Sequence, residues 1–195
     1  LNMDLKGEYL IPAKRLKVWE HLNNSETLKN SIKGCETLDK VSDTEFKAKV
    51  KAKVGPVSAI FNGSVLLTEL EPPNSYIITG QGKGGAAGFA KGSVKITLLD
   101  TENSNNTLLH YKGNAQVGGK LAQLGSRLIG GIIKSTADDF FKTFNEYINS
   151  IENPERITNK NSIANNIETN KIKIPYWIWI FLLIAIIGLI LVFFT

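Results

Sequence analysis

The sequence predicts an α+β domain, an antiparallel β-meander closed by one long amphipathic helix, followed by a hydrophobic membrane anchor. Three observations carry this. Apolar and polar residues alternate through most of the chain from Phe46 to Val117, the period of half-buried strands. After Gly118-Gly119 the apolar spacing changes to three and four residues, the period of a helix with one buried stripe. From Tyr176 to Phe194 the chain runs 19 residues without a charge, enough for a helix of about 28 Å, close to bilayer hydrocarbon thickness.

Taken in order, Met3, Leu5, Gly7 and Tyr9 alternate with Asp4, Lys6 and Glu8, and predict a first strand ended by Pro12. Pro12 suits the first position of a helix, and Leu16, Val18, Trp19 and Leu22 supply its apolar stripe. Asn24 or Ser25 is expected to cap a second short helix that closes at Lys33-Gly34. Phe46, Ala48, Val50, Ala52 and Val54 then alternate with Lys47, Lys49, Lys51 and Lys53, which places an apolar face inward and a lysine stripe outward. Gly55-Pro56 is a turn, Val57 to Leu70 the partner strand, and Pro72-Pro73-Asn74 its stop. Ser75 to Thr79, Phe89 to Leu99 and Thr107 to Val117 are further strands. Their short connections imply antiparallel neighbours.

The helical period links Leu121, Leu124 and Leu128 to Ile132, Ile133, Phe140, Phe144 and Ile148, and predicts one continuous helix of about 30 residues. Residues 1–150 form the expected domain. Residues 151–174, rich in asparagine and charge, have the composition of a flexible linker. Residues 175–195 are the expected transmembrane anchor, with Tyr176, Trp177 and Trp179 as an interfacial belt. Lys171 and Lys173 just before them mark the cytoplasmic side. The alternating, charged N-terminus has no apolar signal region, so the soluble domain is expected on the cytoplasmic side of a single-pass anchor.

The net charge of +5 suits a neighbour of anionic lipid and is too small to argue nucleic acid. A single cysteine, Cys35, excludes an internal disulfide. Gly80-Gln81-Gly82-Lys83-Gly84-Gly85 satisfies the dinucleotide fingerprint as a string, but that motif must open a helix. Here it leads into an alternating segment, so a hairpin is expected. His21 and His110 have no carboxylate or cysteine at ligand spacing. The residues therefore predict neither metal site nor catalytic pair, and no covalent cofactor.

Three stretches carry a family likeness. They are Gly55-Pro56-Val57, the run from Gly80 through Gly84-Gly85-Ala86-Ala87-Gly88-Phe89-Ala90-Lys91 to Ser93, and the run from Gln116 through Gly118-Gly119-Lys120-Leu121 to Ile129. Together with Cys35-Glu36 they resemble the G-subunit family of carbon monoxide dehydrogenase, although a proline is more usual where Lys33 stands. The likeness spans about residues 3 to 148, and the anchor matches only some members. It implies the START-like (SRPBCC) helix-grip fold, in which an antiparallel sheet curls round a long C-terminal helix over an apolar cavity. It further implies a non-catalytic accessory protein that recruits a molybdenum-containing CO dehydrogenase or related hydroxylase to the membrane and carries a quinone.

On that reading the cavity is expected to be lined by Phe61, Val65, Phe89, Leu121, Leu124, Leu128 and Ile132, and to hold an isoprenoid quinone or similar lipid. Lys47, Lys49, Lys51, Lys53, Lys83 and Lys91 would face the bilayer or the partner enzyme. A docking adaptor with a closed core would use the Gly84 to Lys91 loop and the same lysines instead. A cyclase- or hydrolase-like enzyme would need a buried polar group, for which Tyr76, Tyr111 and His110 are the candidates.

Overall fold

In the computed structural model, which describes residues 1–103 and 105–152, the alternation at the N-terminus becomes strand β1 (Asn2–Ile11). Its odd-numbered residues from Met3 to Ile11 turn inward and its even-numbered ones are exposed. Pro12 lies outside the helix that follows. Helix α1 (Arg15–Leu22) starts after Lys14 and buries Val18 and Leu22. Asn24 caps α2 (Ser25–Ser31), its side-chain oxygen accepting from the backbone N–H of Glu26 and Thr27.

The remaining strands are β2 (Cys35–Lys40), β3 (Glu45–Val54), β4 (Val57–Glu71), β5 (Ser75–Lys83), β6 (Phe89–Asp100) and β7 (Thr107–Gly118). With β1 they form one seven-stranded sheet in the order β1-β7-β6-β5-β4-β3-β2. Every adjacent pair is antiparallel. The glycine-rich string ends β5 and enters a short 3-10 turn, Gly85–Ala87, before β6. It is a hairpin and opens no α-helix.

The expected continuous C-terminal helix is interrupted. Gly119–Leu124 is a 3-10 turn, Gly125 takes a left-handed φ of 82°, and α3 then runs over Ser126–Glu152. A left-handed residue is cheap only for glycine, and it resets the helical phase, so Leu121 and Ile129 are both buried although they belong to different elements. The helix extends two residues past the expected domain boundary at 150. The linker and anchor otherwise lie outside the described residues, and among those described no helix is long and apolar enough to cross a membrane.

The space between sheet and α3 is filled at two places. One cluster joins Ile11, Val18, Leu22, Phe46, Leu67, Tyr76, Ile96, Leu98 and Leu109 to Phe141, Phe144 and Ile148 of α3. A smaller one joins Val117, Leu121 and Ile129, with Met3, Val54, Val57, Phe61, Ala90, Leu124 and Ile133 packed against it.

Candidate functional site

Between these clusters the inner face of the sheet carries little side chain. Register brings Gly80, Gly92 and Ala115 side by side across β5, β6 and β7. Gly113 lies opposite Leu5, and Gly7 opposite Tyr111. On the helix, Gly130 and Gly131 are exposed, and a Cβ added at either would meet nothing within 4 Å. At the seam of β1 and α3 lies a gap of about 280 Å³, lined by Met3, Leu5, Tyr9, Tyr111, Gly130 and Ile133 and by the charged Asp4, Lys6 and Glu8 of β1.

On the α3 side its wall has a polar corner. The Tyr9 hydroxyl donates to Asp138 Oδ1 at 2.6 Å, and Lys134 Nζ donates to Asp138 Oδ2 at 2.8 Å. Burial and then the hydrogen bond to Asp138 push the Tyr9 phenol far above its usual value, so it stays a neutral donor. The Lys134 hydrogen bond, followed by that from Tyr9, holds the Asp138 carboxyl below the usual carboxylate range. The same bond raises Lys134. The triad is thus a phenol, a carboxylate and an ammonium held in fixed charge states; none is poised to exchange a proton near neutrality.

Tyr111 stacks on Tyr9 with ring centroids 6.0 Å apart and leans over Gly7, where an added Cβ would lie 2.6 Å from its hydroxyl. Glycine at position 7 therefore admits the ring. On its other side Tyr9 stacks on Phe141 at 4.0 Å. These aromatic contacts join the gap to the larger cluster.

The residues expected to line a cavity divide. Phe61, Leu121 and Leu124 come together in the smaller cluster. Val65 packs against the larger one, and Ile132 is half-buried. Phe89 and Leu128 are 40% and 43% exposed. The break at Gly125 turns Leu128 towards the β3–β4 turn, where it comes within 3.3 Å of a Cβ built on Gly55.

Of the expected polar candidates, Tyr111 lines the gap. Tyr76 is enclosed in the larger cluster against Trp19, and burial raises its phenol well above the usual value. His110 shares a register row with Glu8 of the exposed series, and its Nε2 lies 3.6 Å from the Glu8 carboxylate. Sequence reasoning missed Tyr9, Lys134 and Asp138. The contact of Tyr9 with Asp138 spans 129 positions, and no local period reports it.

The lysine stripe is on the outer face as expected. Lys47, Lys51, Lys53, Lys83 and Lys91 are exposed, while Lys49 is half-buried and ion-paired with Glu36 at 2.9 Å. A depression of about 920 Å³ runs across β1 and β4 to β7, lined by Met3, Val65, Gly80, Gly92 and Ala115 together with polar side chains such as Gln81, Lys91 and Gln116. Among the described residues no cluster of His, Cys, Asp and Glu could hold a metal ion.

The model of the family described as the carbon monoxide dehydrogenase G subunit, CoxG, matches residues 7–149. A conserved protein from Geobacillus kaustophilus has a similar structure at 30% identity, with a TM-score of 0.70 over 76% of this chain and 95% of its own. At 8% identity the Zhui aromatase/cyclase from a Streptomyces species reaches 0.57, over 77% of this chain and 95% of its own. A protein of Thermus thermophilus at 15% identity reaches 0.58, over 76% and 99%. The last two likenesses concern the fold, the helix-grip arrangement of START-like domains. No curated protein matches the chain.

Proposed function

Because the chain belongs to the CoxG family of carbon monoxide dehydrogenase, we propose that it is a non-catalytic, membrane-anchored accessory protein. It holds a hydrophobic ligand with a polar head, a quinone by preference, and serves a molybdenum-containing CO dehydrogenase-type oxidoreductase. The observation that supports this is the gap of about 280 Å³ left between two hydrophobic clusters.

Its chemistry suits such a ligand. Met3, Leu5, Ile133 and the aromatic faces offer apolar contact, and each CH₂ removed from water contributes about 0.8 kcal/mol. A quinone carries carbonyl acceptors on an apolar ring. Tyr111 and Lys134 supply O–H and N–H donors at the corner of the gap, and two or three placed donors orient a ligand whose affinity is mostly hydrophobic.

Mass spectrometry of organic extracts from the purified full chain tests the reading. The expected result is a quinone or another prenyl lipid, depleted in Gly130→Leu, whose side chain enters the gap. An extract without any apolar molecule, or one unchanged by that substitution, overturns ligand carriage. The lysine-rich outer face favours a second reading, a docking adaptor, which predicts that the oxidoreductase co-purifies equally well with the Gly130→Leu chain.

A further inference from the structure

Charge is unevenly distributed along this domain. Residues 46–68, 72–99 and 103–137 contain 11 lysines and arginines and not one aspartate or glutamate. The fold brings part of each stretch to the same end. There the β3–β4 turn at Gly55-Pro56, the 3-10 turn Gly85–Ala87, the 3-10 turn Gly119–Leu124 and the first turn of α3 meet. Leu128 sits against Gly55, the Phe61 ring against Gly84, and Gly88 against Gly118 and Gly119.

Around that end stand Lys51, Lys53, Lys83, Lys120 and Arg127, all exposed. Acids return at both flanks: on β2, where Glu36 is bound to Lys49 and Asp39 lies opposite Lys47, and on β1, where Asp4 lines the same gap as Ser126 at the start of α3. Among the cations three apolar side chains face water: Phe89 at 40%, Ile60 at 43% and Leu128 at 43% exposure. They stand on three different elements, Phe89 at the start of β6, Ile60 in β4 and Leu128 in the first turn of α3.

We infer that this end of the domain is a contact surface for an anionic bilayer, with the cations against lipid headgroups and Phe89 and Leu128 entering the interface. Separate apolar tips among an excess of lysine and arginine fit headgroups, which part around single side chains. A flat protein partner would call for a continuous apolar patch. Attraction to anionic lipid acts over a Debye length, so the contact is salt-sensitive. The inference does not depend on ligand carriage, because it rests on the exterior of the fold.

The test uses the full chain with Cys35→Ser, carrying an environment-sensitive dye on Phe89→Cys, Leu128→Cys or, at the opposite end, Asn105→Cys. Vesicles contain phosphatidylcholine alone or mixed with phosphatidylglycerol, with nitroxide-labelled acyl chains as quencher. With phosphatidylglycerol, the dyes at 89 and 128 are expected to shift to the blue and to be quenched several-fold more than that at 105. The difference should fall in high salt and in Lys53→Gln/Arg127→Gln. Equal quenching at all three positions, or quenching at 89 and 128 indifferent to phosphatidylglycerol and salt, overturns the inference. Two label positions guard against one substitution disturbing the fold, which far-ultraviolet circular dichroism reports.

Discussion

The two ends of the sheet–helix interface are built from different materials. At one, Tyr9, Phe140, Phe141 and Phe144 form a chain of ring contacts 4.0 to 6.4 Å apart, backed by Leu98 and Leu109 with no exposed surface. At the other, three buried residues, Val117, Leu121 and Ile129, hold a shell of half-buried neighbours. Close-packed interiors convert each lost contact into stability. The first end therefore secures the fold, and the second can leave space beside it without unfolding the domain.

The largest expected effect tests that division directly. Phe144→Ala, in the fully enclosed cluster, should cost about 3–5 kcal/mol, and Leu121→Ala in the thinner cluster should fall near the low end of about 2–5 kcal/mol. Denaturant unfolding of the full chain in detergent, followed by circular dichroism, measures both. Equal costs would mean that the two ends are equally packed.

Gly130→Leu sharpens the contrast further. It places a side chain where a Cβ meets nothing within 4 Å, and replaces glycine inside a helix, so stability should hold or rise by up to about 1 kcal/mol while extracted ligand declines. A large loss of stability would show the gap to be filled already.

The seam between the ends has its own pH signature. Since the Asp138 carboxyl is lowered by Lys134 and Tyr9, its contribution is complete above the ordinary carboxylate value of 3.8. It is lost as pH falls through the lowered folded value. Asp138→Asn should reduce the acid-side slope of stability against pH, and Tyr9→Phe should reduce it less. An unchanged slope in Asp138→Asn would discard the triad as a structural element.

The smallest effect concerns the outer face. Lys6, Lys112 and Lys95 lie directly opposite one another on β1, β7 and β6, an arrangement of like charges that costs stability. Lys112→Glu should raise stability by about 0.2–1 kcal/mol, with the gain shrinking in salt. No gain at low salt would mean that the three ammoniums are already kept apart.

Much of this architecture was legible in the sequence because strands and helices advertise their period. The alternation of Phe46 to Val54 placed β3 correctly, and the switch after Gly119 found the C-terminal helix but not its start at Ser126. The interruption at Gly125 was not legible, because a glycine that takes a left-handed φ and one that merely packs closely look alike in a string. Reading through it put Leu128 in a cavity, whereas it is substantially exposed; Phe89 was misplaced for a different reason, since it opens β6 in the exposed phase of that strand. The polar corner escaped for another reason. Asp138 lies off the apolar stripe of α3, and only the docking of β1 beside α3 gives it Tyr9 as a partner.

The placement of β1 has a consequence for how the domain comes together. The strands from β2 to β7 pair with neighbours in the chain and can assemble hairpin by hairpin. By contrast β1 pairs with β7, and the backbone N–H of Val117 donates to the carbonyl of Leu1 across 116 positions. Closing so long a loop is slow relative to local pairing. The chain holds its first strand in waiting until its last has formed. The seam of Tyr9 and Asp138 needs β1 in place beside α3, so the gap along it is complete only when that first strand has docked.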